Sequence, residues 1–377
     1  MSQPETQRAI QRETHRTAHP PMHRPIQRSL PVVQSTHGGP DALGVPLYDF
    51  STNSNACGPC PSAVAAVQAC DPSRYPDPSY SALRAQLADF HRVDASRIVL
   101  AGSASEFIYR MTAWAHQQGA HTVGVPRYAY GDYAQAAHAW GLAVTDSADD
   151  ANPATLAALV SLIWACEPSS PLGQALGAWP PAAEHGHTVL DCAYVPLRLS
   201  GAPSGSDAER NQRERLWQMW TPNKALGLTG VRAAYVIAPP DSTAEVAALN
   251  RLCASWPLGA HGVALLQAWV QAEAQSWLTQ SLTTLRTWKA RQIGMLTGLG
   301  WTCLQSDANF FVARPWGDAV EANTTELAAA LVHLRGGGIK LRDAASFGLP
   351  GHVRAGVLPP VAQDALAKAW TPWKKTV

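Results

Sequence analysis

Lys224 stands where the short apolar run Leu216–Trp220 breaks into a glycine-containing loop, and Arg232 follows at the head of a second apolar run, Ala233–Ala238. A lysine held at a strand end and partly desolvated can have a lowered pKa. Its neutral amine can then attack a carbonyl and form a Schiff base. Gly227 and Gly230 let backbone approach a ligand, and Arg232 offers a planar fork suited to phosphate. An aldehyde that carries a phosphate would use all of these groups, and pyridoxal phosphate is such a molecule. Taken alone, the stretch reads more readily as solvated surface charge.

Other residues extend this chemistry. Asp191 ends the apolar run Thr188–Leu190, and Tyr194 follows three residues later. A carboxylate at a strand's end could keep a pyridine nitrogen protonated, and a phenol could bond the ring's O3′. A loop-capping aspartate and a packed tyrosine are the other reading. Gly102-Ser-Ala-Ser-Glu106 has the capping-box pattern, with Ser103 at the N-cap, where free amides and the helix dipole favour an anion. Capping boxes also occur with nothing bound. Tyr128, after Pro126, could stack on a flat ring or simply pack. Arg354 is a lone arginine in the short apolar run around Val353, and it needs a partner. That partner is either a substrate carboxylate or a structural one.

The elements that must position these groups alternate. Strands are expected at Arg97–Ala101, Thr122–Val125, Ala143–Thr145, Leu162–Cys166, Thr188–Ala193, Leu216–Trp220 and Ala233–Ala238. Helices are expected near 104–117, 130–140 and 153–160, preceded by one whose face is Tyr80, Leu83, Leu87 and Phe90. Apolar runs separated by helices imply an α/β fold with a mostly parallel sheet covered on both faces. In such a sheet ligands sit beyond the strands' carboxyl ends. Residues 241–295 read as helical, and a smaller α/β unit follows. Its strands are expected near 301–305, 309–313, 339–343 and 352–356, with helices near 320–335 and 361–370.

The 377 residues, 46% hydrophobic and 15% charged, suffice for two domains. A net charge of +1 calls for neither nucleic acid nor an anionic membrane. Seven scattered cysteines argue against a secreted disulfide framework, and no apolar run approaches a membrane span, so a soluble, cytoplasmic protein is expected. Cys57-Gly-Pro-Cys60 has no second pair to complete a metal site and reads as an incidental loop. Residues 1–34, rich in Gln, Arg, His and Pro, read as a disordered tail.

The order of these markers resembles the fold-type I pyridoxal-phosphate enzymes of the class I/II aminotransferase group. It is most similar to histidinol-phosphate aminotransferases and the threonine-phosphate decarboxylases of cobalamin synthesis. The markers are His37-Gly-Gly, Asp49-Phe-Ser, Arg74-Tyr-Pro-Asp-Pro78, Gly102 to Glu106, Pro126-Arg-Tyr128, Asp191-Cys-Ala-Tyr194, Lys224 to Tyr235, Ala308-Asn-Phe310, and Arg342 to Pro350 leading to Arg354. The resemblance implies pyridoxal 5′-phosphate as cofactor, bound to Lys224. It implies Asp191 at the ring nitrogen, Tyr194 at O3′, Tyr128 on the ring face, and Ser103, Ala104, Thr221 and Arg232 around the phosphate. Tyr75 would serve the neighbouring subunit's phosphate in a homodimer with shared active sites. Arg354 would grip the substrate's carboxylate, and His37 and Asn55 would belong to an amino-terminal substrate loop like that of the decarboxylase branch.

The implied organisation is a segment 35–75 packing on the small domain, a cofactor-binding large domain over 76–260 with a seven-stranded type of sheet, and a long linking helix with a small domain over 261–377. The sequence departs from the family pattern at Ser170, where an Asn that bonds O3′ is usual, at Asn223, where a Ser or Thr is usual, and at Ser105, where an Asp is common. Transamination of an amino acid is the expected activity. Decarboxylation of a phosphorylated amino acid is the alternative, and a cofactor-binding protein without catalysis is a third reading.

Overall fold

The computed structural model describes residues 37–147, 160–176, 186–201, 207–317 and 324–373, with backbone alone at 207–209. The tail expected over 1–34 and the helix expected near 153–160, save Val160, lie outside the described residues.

Seven strands form the main sheet. They are β2 (Ile98–Ala101), β3 (Thr122–Val125), β4 (Ala143–Asp146), β5 (Leu162–Cys166), β6 (His187–Asp191), β7 (Trp217–Trp220) and β8 (Ala234–Ile237), in the order β2-β8-β7-β6-β5-β3-β4. Every residue of β2, β5, β7 and β8 is buried, as continuous apolar runs in a two-sided sheet require. The sheet is parallel except at β8, which runs antiparallel to both β2 and β7. The cause is local: no helix lies in the connection from β7 to β8, so the chain turns back beside the strand it has left. Lys224 sits in that connection.

The helix with the Leu83 face spans Ser81–His91 (α2; α1 is Pro61–Ala69). Tyr80 is its left-handed N-cap rather than a helical residue, held by donation from its hydroxyl to Leu258 O at 2.8 Å. Leu83 and Leu87 are buried, whereas Phe90 is partly exposed. Helix α3 (Ala104–Gln117) begins at Ser103, whose Oγ accepts from Glu106 N at 3.0 Å. It ends in a Schellman turn, with Ala120 N bonding Ala115 O and Gly119 N bonding His116 O, and Gly119 at φ +87°. Helix α4 (Gly131–Ala139) leads to β4.

The segment expected to be helical over 241–295 is three helices: Thr243–Arg251 (α6; α5 is Asp207–Glu214), Ala260–Trp269 (α7) and Ala272–Gly298 (α8). A four-stranded antiparallel sheet follows, built from Thr302–Cys303 (β9), Phe310–Arg314 (β10), Arg342–Asp343 (β12) and Val353–Gly356 (β13). The short strand Tyr48–Asp49 (β1) pairs with Ile339–Lys340 (β11), which ties the amino-terminal segment to this part of the chain. Among the described residues no helix is long and apolar enough to cross a membrane.

Candidate active site

The carboxyl ends of β2, β3, β5, β6 and β7 open on one edge of the sheet, and the expected residues gather there. The loop carrying Lys224 is docked from below by the amino-terminal segment. Asn55 N donates to Lys224 O at 2.9 Å and Cys60 N to Leu226 O at 2.9 Å. Gly227, at φ +70°, allows this close approach: a Cβ there would stand 2.6 Å from Gly58 O. The Lys224 ammonium lies 5.5 Å from the centroid of the Tyr194 ring, and Tyr194 meets Phe310 edge-on at 4.7 Å.

Asp191 is buried at the end of β6. Its Oδ2 accepts from Tyr133 Oη at 2.7 Å, and its Oδ1 from Ala193 N at 2.9 Å. Burial pushes its carboxyl up, opposed by the Lys224 charge and by these two hydrogen bonds. Tyr194 Oη accepts from Asn53 Nδ2 at 3.2 Å.

Arg354, on β13, is buried, and burial holds its guanidinium below the usual arginine range. Its Nη2 donates to Ser51 O at 3.0 Å and its Nη1 lies 3.5 Å from Ser170 Oγ. The rings of Phe347 and Phe310 flank it at 5.2 and 5.7 Å. No carboxylate among the described residues pairs with it, and its Nε has no partner. Arg342 lies directly opposite on β12, held to about 10 by burial and by the Arg354 charge.

Other expected residues sit differently. Tyr128 packs beside Gly348, where a Cβ would come 3.5 Å from its Cδ1. Arg232 is exposed at the far end of the lysine loop. His37 is exposed, its ring 6.3 Å from that of Tyr130. Tyr75 is 79% exposed and stacks on Trp256 at 4.4 Å. Asn55 is buried, with Nδ2 donating to Ala225 O and Ser281 Oγ and Oδ1 accepting from Cys57 N.

Sequence reasoning missed Asn53, Tyr130 and Tyr133. Asn53 is two residues from Asn55 in the same loop, and nothing in the spacing distinguishes the two. Tyr130 lies 3.2 Å from Ser105 Oγ at the head of α3, and its ring meets Tyr133 edge-on at 5.8 Å. Tyr130 and Tyr133 follow Tyr128 closely in the sequence, and nothing local shows which ring faces the strand ends. A separate cavity of about 780 Å³ lies on the far side of Trp220, lined by residues including His91, Arg213, Trp269 and Arg286. None of Lys224, Asp191, Tyr194 or Arg354 faces it.

The buried hydroxyl of Thr221 and the side-chain oxygens of Asn53 and Asn223 have no partner. With an amine, a carboxylate and a helix N-terminus around them, these donors and acceptors fit a phosphorylated pyridine aldehyde.

A family model, aminotransferase class I and II, matches residues 45–369. A histidinol-phosphate aminotransferase of Jannaschia sp. is 29% identical, over 81% of this chain and 85% of the relative. Histidinol-phosphate aminotransferase 1 of Thiobacillus denitrificans is 30% identical, over 82% and 81%. Among solved structures, histidinol-phosphate aminotransferase from Sinorhizobium meliloti in complex with pyridoxal-5′-phosphate superposes with a TM-score of 0.73 at 21% identity, over 91% of this chain and 96% of that one. L-threonine-O-3-phosphate decarboxylase from Porphyromonas gingivalis superposes at 0.67 and 21%, over 86% and 98%. The chain belongs to the class I and II aminotransferase family, and pyridoxal 5′-phosphate is its cofactor.

Proposed function

We propose that the chain is an aminotransferase whose amine substrate carries an anionic group held by Arg354, as the carboxylate of an amino acid or the phosphate of an amino-alcohol phosphate. The observation that carries this reading is a buried guanidinium with no ion-pair partner among the described residues, the Asp49 charge acting on it only through space. A buried charge left alone is costly, so its place in the fold makes sense if a substrate anion completes it. When bound, pyridoxal phosphate supplies an aldehyde for the amine and a ring that accepts the electron pair released at the substrate's α-carbon.

The chain's own residues do the rest. Lys224 would hold the cofactor through its amine and would carry a proton from the substrate's α-carbon. Asp191 keeps a proton on the ring nitrogen, and Tyr194, supported by Asn53, bonds the ring oxygen. Ser103, Ala104 and Thr221 hold the phosphate, with Arg232 at the edge. Tyr130 and Tyr128 line the outer side, and the exposed Tyr75 reaches the second copy in a homodimer. Asn55 acts from beneath the lysine loop.

A second reading is decarboxylation of a phosphorylated amino acid such as threonine phosphate. It is supported by the seating of His37-Gly-Gly: Gly39 N donates to Ser51 Oγ at 2.9 Å, and Ser51 O accepts from Arg354. The two reactions separate on incubation of the holoenzyme with histidinol phosphate plus 2-oxoglutarate, or with threonine phosphate alone. Amino transfer that needs the oxo acid is expected. Carbon dioxide release without it would replace the first reading by the second. In Arg354→Gln, kcat/KM should fall about 10²-fold, the equivalent of a charged hydrogen-bond pair. Unchanged kcat/KM would refute the role given to Arg354.

A further inference from the structure

Tyr133 lies in the first turn of α4 and is fully buried. Its ring stacks on Trp164 of β5 at 4.9 Å and 6°, with Tyr130 edge-on at 5.8 Å. With the ring clamped between them, the place of the hydroxyl is set, and it donates to Asp191 Oδ2 at 2.7 Å. The other titratable and charged groups about Asp191 are Lys224 from the loop after β7, Cys166 from β5 and Cys192 on its own loop. Tyr130 stands behind Tyr133. Of these, Lys224 alone carries positive charge, and it is engaged by the cofactor during the reaction.

We propose that Tyr133 is a positioning residue: its hydroxyl keeps Asp191 ionised and fixes the rotation of the carboxylate, so that Asp191 meets the cofactor's ring nitrogen as an acceptor. Burial alone would favour the protonated acid, which could not hold a proton on that nitrogen. The phenol suits the task because burial pushes its own pKa well above the usual tyrosine range, so it stays a donor throughout the working pH. A histidine in its place would change charge within that range. The inference rests on Asp191 being the partner of the ring nitrogen.

Tyr133→Phe removes one oxygen and keeps the stack on Trp164. Cofactor absorbance of the holoenzyme is followed against pH, alongside the cofactor's dissociation constant and the steady-state constants. We expect the acid limb of the absorbance titration to move up by about one unit, which corresponds to a tenfold change in the protonation equilibrium. With it, kcat falls about tenfold and KM holds within about twofold. A tyrosine that only packs would lower the thermal midpoint and leave the acid limb in place.

Asp191→Asn is the control. If it leaves cofactor affinity and spectrum unchanged, the reading of Asp191 fails. If it weakens both while the acid limb of Tyr133→Phe stays within about 0.2 unit, the role of Tyr133 is refuted. Should Tyr133→Phe fail to fold, 3-fluorotyrosine at position 133 keeps the shape and makes the hydroxyl a stronger donor. The acid limb is then expected to move down, and no movement overturns the proposal.

Discussion

Replacing Asn55 by alanine tests how the lysine loop is held. The substitution removes three hydrogen bonds: Nδ2 to Ala225 O at 3.0 Å, Nδ2 to Ser281 Oγ at 2.8 Å, and Cys57 N to Oδ1 at 3.1 Å. At about 1 kcal/mol net for each, the loss is about 3 kcal/mol. Ala225 is fully buried, so water cannot readily replace its lost donor. The backbone bond from Asn55 N to Lys224 O survives, so the loop is loosened rather than released. The apoprotein should therefore unfold at a lower urea concentration, by an amount equivalent to about 3 kcal/mol. Pyridoxal phosphate should dissociate about tenfold more readily, because part of its binding energy now orders the loop. KM for the amino donor should change by no more than about twofold, since no polar atom of Asn55 is left over for a substrate. Urea titration, cofactor fluorescence and steady-state kinetics read these three quantities separately. Unchanged stability together with a raised KM would refute the argument and place Asn55 against the substrate.

Two more outcomes follow from the geometry. Gly227→Ala puts a Cβ 2.6 Å from Gly58 O at a positive φ, whereas a Cβ at Gly230 meets nothing within 4 Å. Cofactor affinity should fall at least about tenfold further in Gly227→Ala than in Gly230→Ala, and equal affinities in the two variants would count against the close docking. Burial against Tyr235 and Trp220 depresses His91 from 6.5 to about 4, so between these values the unfolded chain takes up a proton that the folded chain refuses. The contribution of His91 is thus fully present above pH 6.5 and is lost as pH falls toward 4. The loss is on the order of 3 kcal/mol. His91→Gln should flatten the fall in urea midpoint across that window, and an unaltered slope would show that His91 does not titrate as its burial requires.

The main sheet was legible because its strands carry unbroken apolar runs. Leu162–Cys166 and Thr122–Val125 have the same ends in sequence and structure. Tyr80 was misassigned because an aromatic at helical spacing packs equally well from a left-handed cap, where its hydroxyl reaches Leu258 O. Within the site, Lys224, Asp191 and Arg354 stood out as charged residues next to apolar runs. Tyr133 and Asn53 did not, because their importance comes from contacts across 58 and 141 residues of chain. No local pattern encodes such a partner. Asn55 illustrates the converse: the resemblance implied a place in a substrate loop, and its surroundings take up every polar group it has.

The segment between Tyr48 and Cys60 is where distant parts of the chain meet. Tyr48 pairs with Ile339, Ser51 receives Arg354, Asn53 and Ser54 receive Asn309, and Asn55 and Cys60 hold the loop from Lys224 to Leu226. These contacts close loops of up to 303 residues. Ser51 lies 303 residues before the arginine it receives. Through Asn55, the hold on the lysine loop draws on partners as far along as Ser281, and Ser51 draws on Arg354. Ordering of this segment is therefore tied to contacts of long sequence separation, which are slow to form because the intervening chain must be closed first.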